Sequence, residues 1–133
     1  MDKQRLTLAV LTVVPLAMAC AGPDADVTPL LGTKWTVTSP NAGKQAYLTF
    51  DAKTHKVGGR LGCNYVNATA TVRSGHITLG RPMTTRMMCD ASLMKTERTL
   101  LGLFGHTVGY RVDHDTLTLT RENGPTVRAS AVK

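Results

Sequence analysis

Five sulfur-bearing side chains fall within twelve residues: Met83, Met87, Met88, Cys89 and Met94. Thioethers beside a thiolate are donors that Cu(I) favours, so the segment TTRMMC, residues 84–89, raises three chemistries. It could be a soft-metal site, a reactive thiol or a structural staple. An extended chain would send Met87 and Met88 to opposite faces, and methionine is a common gap-filler in cores. A reactive thiol needs a close second cysteine or a setting that makes it acidic. Arg86 and a helix start beside Cys89 would supply the setting, but Cys63 lies 25 intervening residues away. That separation suits one stable bond better than a redox pair, and a disulfide would consume the thiolate a metal needs. The staple is the favoured reading, and neither a metal nor a cofactor is expected.

Other reactive side chains offer less. His55, His76, His106 and His114 have no metal-ligand spacing. Ser39, Ser74, Ser92 and Ser130 lack a nucleophile-elbow context. No catalytic residue is expected. Arg86 has two readings. It orders its loop by pairing with an acid such as Glu97 or by bonding a carbonyl, or it binds an anionic ligand; the structural role is favoured. Asn64 is expected to hold a turn through side-chain to backbone bonds.

The compartment follows from the first residues. Lys3 and Arg5 precede the apolar run LTLAVLTVVPLAM, which has signal-peptide length. Residues 1–19 therefore read as an export signal. Cleavage before Cys20 would leave a lipoprotein held at the outer side of the cell membrane by acylated Cys20. Ala17-Met18-Ala19 also fits ordinary secretion. The lipoprotein is favoured, because a cysteine directly follows the apolar run and CAGPDADVTP, residues 20–29, resembles a polar tether. Without Lys3, Arg5 and Asp2, 14 basic and 8 acidic residues remain, a formal charge of +6. There is no basic run and aromatics are few, so a nucleic-acid partner is not expected. If lipid takes Cys20, only Cys63 and Cys89 remain, and an even pair in an oxidising compartment reads as a disulfide. Closing that loop in the unfolded chain is worth roughly 3–4 kcal/mol.

These residues must be positioned by strands. From Leu30 onward apolar residues recur with period two: Trp35 and Val37; Ala46, Leu48 and Phe50; Val57, Gly59, Leu61 and Cys63; Ala68, Ala70 and Val72; Ile77 and Leu79; Val108, Tyr110 and Val112; Leu117 and Leu119; Val127 and Ala129. Such alternation marks strands with one buried face, which puts Cys63 on an inward position. Turn-like segments punctuate them at 39–43, 51–55, 74–75, 113–115 and 122–125. One stretch differs. Leu93, Thr96, Leu100, Leu103 and Phe104 follow a helical stripe, with Glu97 and Arg98 expected to face water. Asp90 or Ser92 would cap this helix of about 91–104, and Gly105 would stop it. The expected fold is mainly β: one domain over 30–133, a small antiparallel barrel-like sheet with one packed amphipathic helix.

LLGTKWTV at 30–37, GRLGCNYV at 59–66, TTRMMC at 84–89, the helix carrying Glu97 and VDHDTLTL at 112–119 occur in the order found in META/HslJ-like domains. The resemblance spans about Leu30 to Ala129. By position its signature residues are Gly32, Trp35, Gly62, Cys63, Asn64, Thr85, Arg86, Met87 and Cys89. It implies a compact antiparallel barrel-like sheet with a packed helix, often on bacterial envelope lipoproteins. It also implies associations with heat-shock response, novobiocin resistance and, in a protozoan branch, secretion or virulence, but no catalytic residue. The expected function is a non-enzymatic, membrane-anchored binding or scaffolding module in envelope stress or drug tolerance, with an envelope protein or small ligand as partner. The alternatives are a barrel that binds a small apolar or anionic ligand, and an envelope protease inhibitor acting through a loop such as 39–45.

Overall fold

A computed structural model describes residues 27–40 and 46–133. The expected export signal, Cys20, most of the tether and most of the 39–45 loop lie outside the described residues. The strands are β1 (Lys34–Ser39), β2 (Tyr47–Asp51), β3 (Lys56–Arg60), β4 (Tyr65–Arg73), β5 (His76–Leu79), β6 (Met83–Thr84), β7 (Thr107–Asp113), β8 (Thr116–Arg121) and β9 (Thr126–Ala131). The helix α1 (Ala91–Leu101) separates β6 from β7. Pairing is antiparallel throughout, in the order β1-β2-β3-β4-β5-β7-β8-β9 and back to β1. The result is a closed eight-stranded barrel. Closure pairs the strands that an open sheet would leave at its edges.

β6 was not foreseen from the sequence. It continues β5 along β4 after an irregularity. Ala70 faces Leu79 and Asn67 faces Met83, so one extra residue is accommodated around Arg81 and Pro82. This has the form of a β-bulge, which bends the strand away from β7.

The alternating residues do point inward. Trp35, Leu48, Phe50, Val57, Ile77, Leu79, Leu117, Leu119 and Val127 are fully enclosed. The two barrel ends are closed differently. At one, the N-terminal segment folds over the opening: Leu30 is buried and its carbonyl accepts from Trp35 Nε1 at 3.0 Å. Gly32, at φ +82°, turns the chain there and donates its N–H to the Phe50 carbonyl at 2.8 Å. Among the described residues, Thr28 already contacts the barrel. Its N–H donates to the His114 carbonyl at 2.9 Å and its hydroxyl donates to Asp115. Lys133 Nζ lies 2.7 Å from the same carboxylate. The two together hold the Asp115 carboxyl below its usual range, with the Lys133 hydrogen bond the larger cause and the Thr28 hydroxyl the next.

At the other end α1 lies across the opening with Thr96, Glu97 and Leu100 buried, followed by buried Leu103 and Phe104. Asp90 is the N-cap and accepts from the Leu93 N–H at 3.1 Å. The helix ends at Leu101 rather than near 104. Gly102, a poor helix former, starts a tighter turn in which Leu103 and Phe104 donate to Leu100 and Leu101. Gly105, at φ +81°, closes that turn by donating to the Leu79 carbonyl at 2.8 Å.

Candidate functional site: the clasp at the helix end

The TTRMMC segment passes beside the β3–β4 turn, and the first half of α1 packs against that turn. Cys63 lies in the turn, after β3 has ended, and not on an inward strand position as its parity suggested. It is nonetheless fully buried and is bonded to Cys89, with Cα atoms 5.8 Å apart. Gly62 precedes it at φ +131°, where a Cβ would come within 2.7 Å of the Leu93 carbonyl oxygen of the helix. Only glycine lets the turn and the helix approach this closely.

Asn64 is the hub. Its side-chain amide donates to Glu97 Oε2 at 2.8 Å and to the Met87 carbonyl at 3.2 Å. Its Oδ1 accepts from the Thr85 hydroxyl at 2.9 Å and from the Met87 N–H. Its backbone N–H donates to Glu97 Oε1 at 2.6 Å. Every hydrogen-bonding position of this amide side chain is thereby filled. The asparagine was expected to hold its own turn; it ties that turn to two other segments. Thr85 completes the link, because its hydroxyl accepts from the Tyr65 N–H at 3.0 Å.

Glu97 corrects the sequence reading most clearly. It is buried, not facing water, and it accepts from the Cys63 N–H at 3.3 Å in addition to the two donors on Asn64. A buried carboxyl is costly unless such donors meet it. The signal was present in the helical spacing: Glu97 stands four residues after Leu93 and three before Leu100, on the buried stripe. Arg86 does not pair with it. Arg86 is exposed, and among the described residues its side chain makes no hydrogen bond or ion pair. Its expected loop-ordering role belongs instead to Asn64, Thr85 and Glu97.

The methionines also depart from expectation. Met83 and Met88 are 76 % and 87 % exposed and Met87 is 44 % exposed, so they do not fill space around the disulfide. The backbone of this segment is held inward by Asn64 while its thioethers point out. Tyr65, 48 % exposed, lies across from Thr85 and two residues along β4 from Asn67, which faces Met83. Beside them a surface groove of about 300 Å³ is lined by Lys56, Asn67, Ala68, Thr69, Arg81 and Met83.

Chemically, the clasp holds three segments together. Both thiols are in the bond and the Glu97 carboxyl faces three donors. No group of three or more His, Cys, Asp or Glu side chains suited to a metal occurs among the described residues.

A family model described as the META domain matches residues 28–133. The chain is similar in fold to a solved NMR structure of a protein from Burkholderia xenovorans, with a TM-score of 0.62, 19% identity and coverage of 98% of this chain and 99% of that one. A second NMR structure is similar with a TM-score of 0.60 and 19% identity, over 76% of this chain and 90% of that one. No curated protein matches the chain significantly in sequence. The match over most of its length makes this chain a member of the META domain family.

Proposed function

We propose that the protein is a non-enzymatic, exported META-family lipoprotein, anchored through Cys20. It works as a binding or scaffolding module in envelope stress or drug tolerance. The observation that carries this reading is the filled barrel. Large apolar side chains occupy the interior, α1 covers one end and the segment from Thr28 to Gly32 covers the other. Such a molecule offers partners its outer surface. The same packing weighs against a ligand held inside the barrel, since the pockets lined by described residues are surface grooves. The apolar leader and Cys20 support export and anchoring.

Complementation tests this reading. A strain lacking the gene should lose tolerance to heat or drug stress. It should regain tolerance with the wild-type chain but not with Cys20→Ser, which should also leave the membrane fraction. Equal membrane retention of Cys20→Ser would remove the anchor from the account. Unchanged tolerance in the deletion strain would remove the stress role.

A further inference from the structure

Six large apolar side chains are exposed among the described residues, and four of them, Tyr65, Met83, Met87 and Met88, belong to segments that the β4–β6 pairing and the Asn64 clasp bring together. They stand on β4, β6 and the segment running into α1. Scattered exposed apolar residues need no explanation, but a cluster marks a surface that meets something.

The charge around the cluster says what it meets. Segments 56–60, 65–69 and 81–88 supply Lys56, Arg60, Arg81 and Arg86, with Asp51 opposite Lys56 and Asp90 at the helix start as the flanking carboxylates. Arg60 lies over the Tyr65 ring, 5.4 Å from its centroid, between Tyr65 and Tyr47 in the strand register. Its Nε is buried without a hydrogen-bond partner, and no described carboxylate pairs with its guanidinium. Lys34 stands over the Tyr47 ring at 4.3 Å, extending the same alternation of cation and aromatic. Flexible thioethers and a tyrosine beside cations that make no ion pair with a described carboxylate match a lipid headgroup region. There the apolar tips enter the acyl boundary, the ring sits at headgroup level, and the cations meet phosphates. The chain upstream of Thr28 carries the apolar run of residues 6–18 and Cys20, either of which brings this domain to a bilayer.

We infer that the Tyr65–Met83–Met87–Met88 face, with Arg60, Arg81 and Arg86, docks on an anionic lipid surface. This deepens the anchored-module reading by naming the partner of the outer surface. The face itself is read from the barrel, so it stands or falls separately from acylation of Cys20.

Methionine oxidation in the uncleaved precursor tests it, since that chain carries its own controls. Peroxide oxidation is followed residue by residue by mass spectrometry, with and without vesicles. On vesicles containing phosphatidylglycerol, Met83 and Met88 should oxidise at least about fivefold more slowly, the attraction of a single cation. On pure phosphatidylcholine, or in high salt, their rates should return toward the free value. Met18, in the leader, reports insertion of the N-terminal segment independently. The double variant Arg81→Glu with Arg86→Glu changes only exposed side chains and should abolish protection of Met83 and Met88 while leaving Met18 protected. The inference is overturned if Met18 alone is protected, or if protection is equal on neutral vesicles. It is also overturned if protection grows with protein concentration without lipid, which would assign the face to a second copy of the chain.

Discussion

The barrel is closed at two ends by two kinds of chemistry. At the helix end the contacts are covalent and buried: the Cys63–Cys89 bond, and Glu97 meeting N–H groups from Cys63 and Asn64. At the opposite end Trp35 and Leu30 are buried, but the polar latch of Thr28, Asp115 and Lys133 lies near the surface. The two latches resemble each other on paper, each a carboxyl gathering donors from distant segments. Water separates them in consequence. A donor orphaned at the helix end loses its partner where solvent cannot replace it, whereas one orphaned at the other end is resolvated.

That contrast orders the effects of substitution. Glu97→Ala should be the most damaging, because it strands three donors at about 1–3 kcal/mol each. Urea denaturation should show a loss of at least about 3 kcal/mol, and a loss below about 1 kcal/mol would mean that water reaches the clasp. Removing the disulfide by Cys63→Ala with Cys89→Ala should cost roughly 3–4 kcal/mol. Combining it with Glu97→Ala should give a non-additive result, since both hold the same turn; strict additivity would contradict a single unit. Arg86→Ala should move stability by less than about 0.5 kcal/mol, as for a surface residue without partners among the described residues.

Asp115→Asn should have the smallest effect, and its pH dependence carries the sign. The folded carboxyl titrates below its ordinary range, so its contribution is complete above the unfolded value near 3.9. It fades as pH falls through the lowered folded value. The variant and the wild type should therefore differ slightly at neutral pH and converge in thermal scans at acid pH. A difference that widens on acidification would reverse the assignment.

Much of the barrel was legible because period two is a geometric property of strands, and the alternating groups from Trp35 to Ala129 kept their parity apart from Leu61 and Cys63, which follow the end of β3. The cysteine pairing was legible from the presence of just two cysteines within residues 30–133. β6 was not, because a two-residue strand after a bulge carries no period. Cys63 was placed on an inward strand because its parity continued beyond the end of β3. Glu97 was misplaced because its partners, Cys63 and Asn64, lie more than thirty residues away, and a charged side chain reads as wet until its donors are known. The methionines were read as core filler because composition does not say which side of a held backbone they leave from.

Amide exchange at Met87 tests the central claim, that the clasp fixes this segment from within, most directly. Its N–H is bonded to Asn64 Oδ1, while the neighbouring Met88 stands largely in solvent. Met87 should exchange about two orders of magnitude more slowly than Met88 in the oxidised wild type, equivalent to about 3 kcal/mol of opening free energy, and Glu97→Ala should erase the difference. Equal exchange at Met87 and Met88 in the wild type would contradict the account.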